Sequence, residues 1–184
     1  TPYRIGERRS ALKLLRSIDS SMLLMWDRGL HSFKMVNAII KQKGHFLGRL
    51  PVHAKFVVVK TFADGSYLSW IAPDGKSRKK GATRIPVRII EYTIEENGTP
   101  KTYRLITNLM DTAKFPALML AQEYHQRWEA ENTLDELKIH LNGRKTHIRS
   151  KNPREVVQEI YGWLLAHYCL RCLMFQSATL KNIS

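Results

Sequence analysis

An Asn-Gly pair at positions 97 and 98, between two runs rich in β-branched residues, constrains this chain more than any other feature. The pair supplies the positive φ angles of a two-residue hairpin turn, so Ile85 to Ile94 and Thr102 to Thr107 are expected to pair antiparallel. Further turn signals at Asp64-Gly65 and Asp74-Gly75 make the stretch from Val52 to Leu109 β-rich. Segments of other character flank it. Residues 7 to 18 place Leu12 and Leu15 at helical spacing, and Met22-Leu-Leu-Met-Trp26 is the compact apolar run of a buried strand. That run stops at Asp27-Arg28-Gly29, which puts a carboxylate at a strand's C-terminal end. Ser32 to Gln42 reads as a helix, and His45 to Leu50 as a second strand. The C-terminal third is helical, with one long helix from Pro116 to about Leu141 and another from Pro153 to about Phe175. Asn152 is a fitting N-cap for the last helix and Glu155 stands where a capping box wants it. Its apolar positions, Ile160, Leu164, Leu170 and Met174 among them, make it a packing element. The class expected is mixed α/β (α+β).

Charge narrows the partners. Among 184 residues, 30 Lys and Arg face 16 Asp and Glu, a formal net charge of +14, which favours a polyanion and nucleic acid first. A membrane is not expected, because the longest apolar stretch, Trp163 to Phe175, is broken by His167 and Arg171 and is too short to span a bilayer. The two cysteines, Cys169 and Cys172, exclude a disulfide scaffold and fit a reducing cytoplasm. Both lie among leucines without a second Cys or His pair, so they read as core residues. Lys76-Ser-Arg78-Lys79-Lys80 is a dense basic loop, open to two readings, a solvated loop or a contact to phosphates. No Gly-rich phosphate loop is present, which argues against ATP use. The chain starts at Thr1 with no signal-peptide pattern and reads as a piece of something longer.

The most informative stretch runs from Tyr124 to Lys138. At about 100° per residue, Tyr124, Arg127, Glu131 and Lys138 fall within an arc of roughly 60° on one helix. The apolar stripe of Leu134, Leu137 and Leu141 lies beside them, which suits a cleft wall. Exposed ion pairs such as Arg127 with Glu131 at i,i+4 explain the same pattern. The spacing Tyr-x2-Arg-x3-Glu-x6-Lys resembles the YREK signature of the IS-four-like insertion-sequence transposases, with all four positions matched. Thr107-Asn-Leu, Trp128 and the segment Ser150 to Glu159 are similar to the family's surroundings of that helix. Asp27-Arg28-Gly29 resembles its second catalytic aspartate, and Gly44 to Arg49 its next strand. The resemblance covers nearly the whole chain.

It implies an RNase H-like catalytic core of the DDE class, truncated at its N-terminus, with residues 1–51 as partial core, 52–110 as a β-rich insertion before the Glu-bearing helix, and 111–184 as C-terminal helices. It implies two metal ions, Mg2+ or alternatively Mn2+, held by two Asp and one Glu, of which Asp27 and Glu131 would be two ligands. Arg127 and Lys138 would hold DNA phosphates, where a guanidinium grips two oxygens and an ammonium acts as a point charge. Tyr124 would position the backbone. Trp128, outside the signature, is open to stacking on an unpaired base or to packing in the core. The expected function is DNA transposition by metal-dependent strand cleavage and transfer at insertion-sequence ends. The expected partners are double-stranded DNA, as transposon ends and target, and a second copy on that DNA, in the bacterial cytoplasm at the nucleoid. The family's first catalytic Asp has no counterpart here, since Asp19, the only upstream aspartate, sits at a turn. The chain alone is therefore expected to be inactive, and a non-catalytic DNA-binding remnant is the alternative.

Overall fold

The computed structural model describes residues 6–51, 53–73, 83–96, 98–136 and 148–180. The chain forms two compact units, Thr1–His125 and Gln126–Ser184.

The first unit is built on a six-stranded sheet of order β1-β2-β6-β5-β4-β3. Its strands are β1 (Leu23–Trp26), β2 (His45–Arg49), β3 (Lys60–Thr61), β4 (Tyr67–Ile71), β5 (Ile85–Glu96) and β6 (Thr99–Thr107), and its helices are α1 (Glu7–Leu14), α2 (Phe33–Lys41) and the start of α3 (Ala117–Asp135). A 3-10 turn, Leu15–Ser17, continues α1. β1 and β2 run parallel and α2 connects them, while every other pairing in the sheet is antiparallel. The hairpin forms where the Asn-Gly pair predicts it, with Glu96 opposite Thr99 and Gly98 at φ +74°. Gly65, in the Asp64-Gly65 turn, has φ +80°. Asn97 and the Asp74-Gly75 turn lie outside the described residues.

Alternation along the strands divides the apolar residues between two faces. Phe46, Ile89 and Ile106 join Trp26, Met35, Val36 and Ile39 on the α2 face. Their neighbours Leu47, Ile90 and Leu105 join Leu109, Leu120 and Tyr124 on the α3 face. The middle strands are thus covered on both sides. α2 starts at Ser32, whose hydroxyl accepts the Met35 amide at 3.2 Å, a local cap that satisfies one otherwise orphaned N–H.

β1 differs from the fully buried strand expected from its apolar run. It stands at one edge of the sheet among the described strands, so only Trp26 is buried and Leu23 is exposed.

The second unit contains the rest of α3 and α4 (Pro153–Leu180). Asn152 does cap α4, its side chain accepting the Arg154 amide at 3.1 Å. The expectation that α4 is a packing element with a cysteine-bearing core is not met, since none of its described residues is buried. Cys169 is exposed, Cys172 only half-buried, and Leu164, Leu170 and Met174 are exposed. Helical spacing places these groups in a row, but burial needs a surface to meet that row. His167, on the same helix, makes a polar contact. Its Nε2 lies 2.8 Å from Glu136 Oε2, where Arg171 Nε also reaches at 3.3 Å.

Candidate active site

Asp27 follows β1 directly, in extended backbone, and opens the 3-10 turn Arg28–Leu30. The carboxylate therefore stands at the strand's C-terminal end, as the sequence predicts. Its Oδ1 is buried and has no hydrogen-bond partner among the described residues, although the side chain as a whole is 44% exposed. The cation of Arg49, at 3.8 Å from Oδ1, is beyond hydrogen-bond reach. That arginine closes β2 and lies 4.3 Å above the Tyr103 ring, which holds the guanidinium in a cation-π contact.

The strand end is held by an unusually close packing. Trp26 stacks on Phe46 with ring centroids 5.2 Å apart and lies over Gly48, its partner in the β1–β2 register. A Cβ at Gly48 would come within 2.1 Å of the Trp26 ring, so only glycine fits beneath the indole. From the other face of the sheet, the buried Tyr124 hydroxyl donates to the Trp26 carbonyl at 3.2 Å. The residue immediately before Asp27 is thus tied to α3.

Beside Asp27, a cavity of about 230 Å³ is lined by Arg28, Arg49, Leu50, Glu91, Thr102 and Arg104. Three guanidinium groups face one carboxylate, and that carboxylate is already engaged. Glu91 accepts the Tyr67 hydroxyl at 2.9 Å and lies 4.0 Å from Arg104. Burial first, and Glu91 second, push the Tyr67 hydroxyl up to about 12, so it remains a donor at neutral pH. Arg104 is anchored by the carbonyls of Ala54 and Pro51, at 2.7 and 3.2 Å. A larger cavity of about 520 Å³ lies by His31, Phe33, Phe56 and Trp70. Burial, then the charge of Arg8, holds the His31 imidazole below its ordinary value, so it is neutral at pH 7.

Sequence reasoning passed over Asp64 and Arg88. Arg88 is fully buried on β5 and donates to Ser66 Oγ at 2.8 Å and to the carbonyls of Leu109 and Phe115 at 3.1 and 2.7 Å. Its remaining terminal nitrogen pairs with Asp64. Asp64 Oδ2 also accepts the amide of Ala117, the first residue of α3, at 3.0 Å. Burial raises the Asp64 carboxyl, but hydrogen bonds from Ser66 and Ala117 and the charge of Arg88 outweigh it, so the group titrates below the ordinary aspartate range. One signal was available: a lone arginine in the otherwise apolar run Ile85 to Ile90.

Of the signature residues, Tyr124 belongs to the first unit and Arg127 and Glu131 to the part of α3 in the second. Trp128 is half-exposed. The side chain of Glu131, all of Lys138, and the basic loop of Lys76, Arg78, Lys79 and Lys80 lie outside the described residues. His125 stands edge-on to Tyr92 and Tyr103 with ring centroids 5.6 Å apart. Among the described residues no helix is long and apolar enough to cross a membrane.

This arrangement can be set beside known proteins. Residues 1–169 match the family described as Transposase DDE domain. The chain is also similar to the transposase InsG for insertion sequence element IS4 of Escherichia coli (strain K12), at 27% identity over 178 residues. That match covers 94% of this chain and 39% of the relative, so the chain spans about two fifths of the relative's length. The mixed α/β fold with its six-stranded sheet is compatible with an RNase H-like DDE domain. The chain belongs to the DDE transposase domain family, with an IS4-like sequence.

Proposed function

We propose that the protein containing this chain is a transposase that cuts and transfers DNA strands at the ends of an insertion sequence. One observation carries the reading: a carboxylate oxygen of Asp27, at the carboxyl end of a sheet strand, is buried and has no hydrogen-bond partner among the described residues. Arg49, in a 3.8 Å ion pair with it, is too far to donate, and a buried oxygen without a close partner costs stability. A divalent metal ion, which takes oxygen ligands, fits that requirement. DDE transposases depend on such ions, generally Mg2+ or Mn2+. In this chain Asp27 and Glu131 would be the ligands, as part of a two-metal site. A bound ion supplies charge stabilisation for in-line displacement at a phosphodiester.

The protein groups do the rest. Arg28, Arg49 and Arg104 make the cavity beside Asp27 electropositive, which suits a DNA phosphate held next to the reacting one. Arg127, Lys138 and the basic loop of Lys76, Arg78, Lys79 and Lys80 would also hold DNA phosphates, and half-exposed Trp128 is available to stack on an unpaired base. Tyr124 works from inside the protein by tying α3 to the strand end that carries Asp27. The substrate is double-stranded DNA, as element ends and target, and a second copy joins on that DNA in the bacterial cytoplasm at the nucleoid.

The test is Mg2+-dependent nicking of element-end DNA by the full protein. Asp27→Asn and Glu131→Gln are each expected to reduce nicking by about a thousandfold or more while DNA binding stays within a few-fold. Unimpaired cutting by either variant removes that residue from the ligand set. DNA binding by the parent without cleavage under any divalent ion favours the non-catalytic remnant instead.

A further inference from the structure

A fully buried arginine and its half-buried aspartate partner stand at the start of α3. Residue 116, immediately before the helix, is a proline, whose side chain has no hydrogen-bonding group to satisfy the first amides. The acceptor comes instead from Asp64, 53 residues upstream in the turn before β4. Asp64 is itself fixed by Ser66, whose amide and hydroxyl reach Oδ1 at 3.2 and 2.6 Å. Arg88 then joins three segments, because its guanidinium bonds Asp64 and Ser66 in the turn, Leu109 after β6, and Phe115 before α3. Strand alternation places Arg88 on the sheet face of Ile90, the face that α3 covers.

Two turns further along, Tyr124 makes the second tie, to the Trp26 carbonyl beside Asp27. A helix held at one point can slide and rotate about it. Held at Ala117 and at Tyr124, it has one seating on the sheet.

We propose that Asp64 and Arg88 are positioning residues that set the seating of α3 against the strand end bearing Asp27. The catalytic consequence rests on the transposase reading above, in which Asp27 is a metal ligand, and on the tie between this helix and the strand end that carries it. Misplacing a reacting group by about 1 Å from a distant change costs about a hundredfold in rate, so the seating of this helix is a determinant of the chemistry.

The test uses the full protein and three variants: Asp64→Ala, the milder Asp64→Asn, and Val87→Ala as a control. Val87 is a buried residue of the same strand on the opposite, α2 face. Two quantities are read well below the melting temperature of each variant: amide hydrogen exchange across residues 117–124, and the Mg2+ concentration giving half-maximal nicking. Asp64→Ala is expected to speed exchange in the first turn of α3 by about tenfold, Asp64→Asn by less, and Val87→Ala hardly at all. The Mg2+ midpoint is expected to rise by about fivefold or more in Asp64→Ala and to stay within about twofold in Val87→Ala.

Exchange no faster in Asp64→Ala than in Val87→Ala overturns the proposal. Faster exchange with an unmoved Mg2+ midpoint also overturns it, leaving a contact that stabilises the fold and nothing more. A parent that nicks DNA at no Mg2+ concentration sinks the transposase reading alone. Faster first-turn exchange in Asp64→Ala then still supports the seating, and unchanged exchange still overturns it.

Discussion

Asp64 shows how much one side chain can carry once the fold has placed it. Its carboxylate caps a helix, orders its own turn and balances a fully buried guanidinium. Folding holds it below the ordinary aspartate range, so the folded state binds fewer protons there than the unfolded state, and stability rises with pH across that interval. The contribution is complete above the unfolded value, about 3.9, and is lost as pH falls from there through the lower folded value. Replacing Asp64 by Asn leaves Arg88 buried without its counter-charge, at a cost of about 3 kcal/mol at neutral pH. Urea unfolding at pH 7 and again in acid checks both statements. The gap between parent and Asp64→Asn is expected to close in acid, and a gap independent of pH would remove the ionised carboxylate from the explanation. None of this was legible from Asp64-Gly65, which announces a turn and nothing about what the turn touches.

At the scale of elements, the β1–β2 pair decides where the candidate site stands. Trp26 occupies the space a side chain at position 48 would need, and the Trp26 carbonyl receives the Tyr124 hydroxyl. Gly48→Ala must displace a buried ring already stacked on Phe46, at a cost of about 1–3 kcal/mol, read as a lowered urea midpoint with unchanged m-value. A shift of a few tenths would mean that the ring yields freely and that the strand end is softer than its packing indicates. The elements themselves were largely readable: the hairpin from Asn97-Gly98, α2 from Ser32 and its apolar period, and the start of α4 from Asn152-Pro153. α4 marks the boundary of that method, because its apolar spacing was correct while the inference that those residues are buried was not. Periodicity describes one surface, whereas burial is a property of two.

Across the whole molecule, the charge of +14 suits the DNA substrate proposed above. Neutralising phosphates releases counterions, so the logarithm of the affinity falls linearly with the logarithm of salt, by about 0.9 per phosphate contacted. The joint replacement Arg28→Ala with Arg49→Ala is expected to reduce that slope by about 2 and to weaken binding evenly across DNA sequences. An unchanged slope would mean that the cavity beside Asp27 holds no phosphate. By itself the sequence determined the class of fold, the hairpin, the carboxylate ending β1 and the family to which the chain belongs, because each depends on a few neighbouring residues or on a fixed spacing. Tertiary structure alone decided that Arg88 is buried, that Asp64 caps α3 across 53 residues, and that Tyr124 reaches Trp26 across 98. The free energy of a charged or polar group depends on which partners surround it, and those partners are chosen by the packing of the chain as a whole.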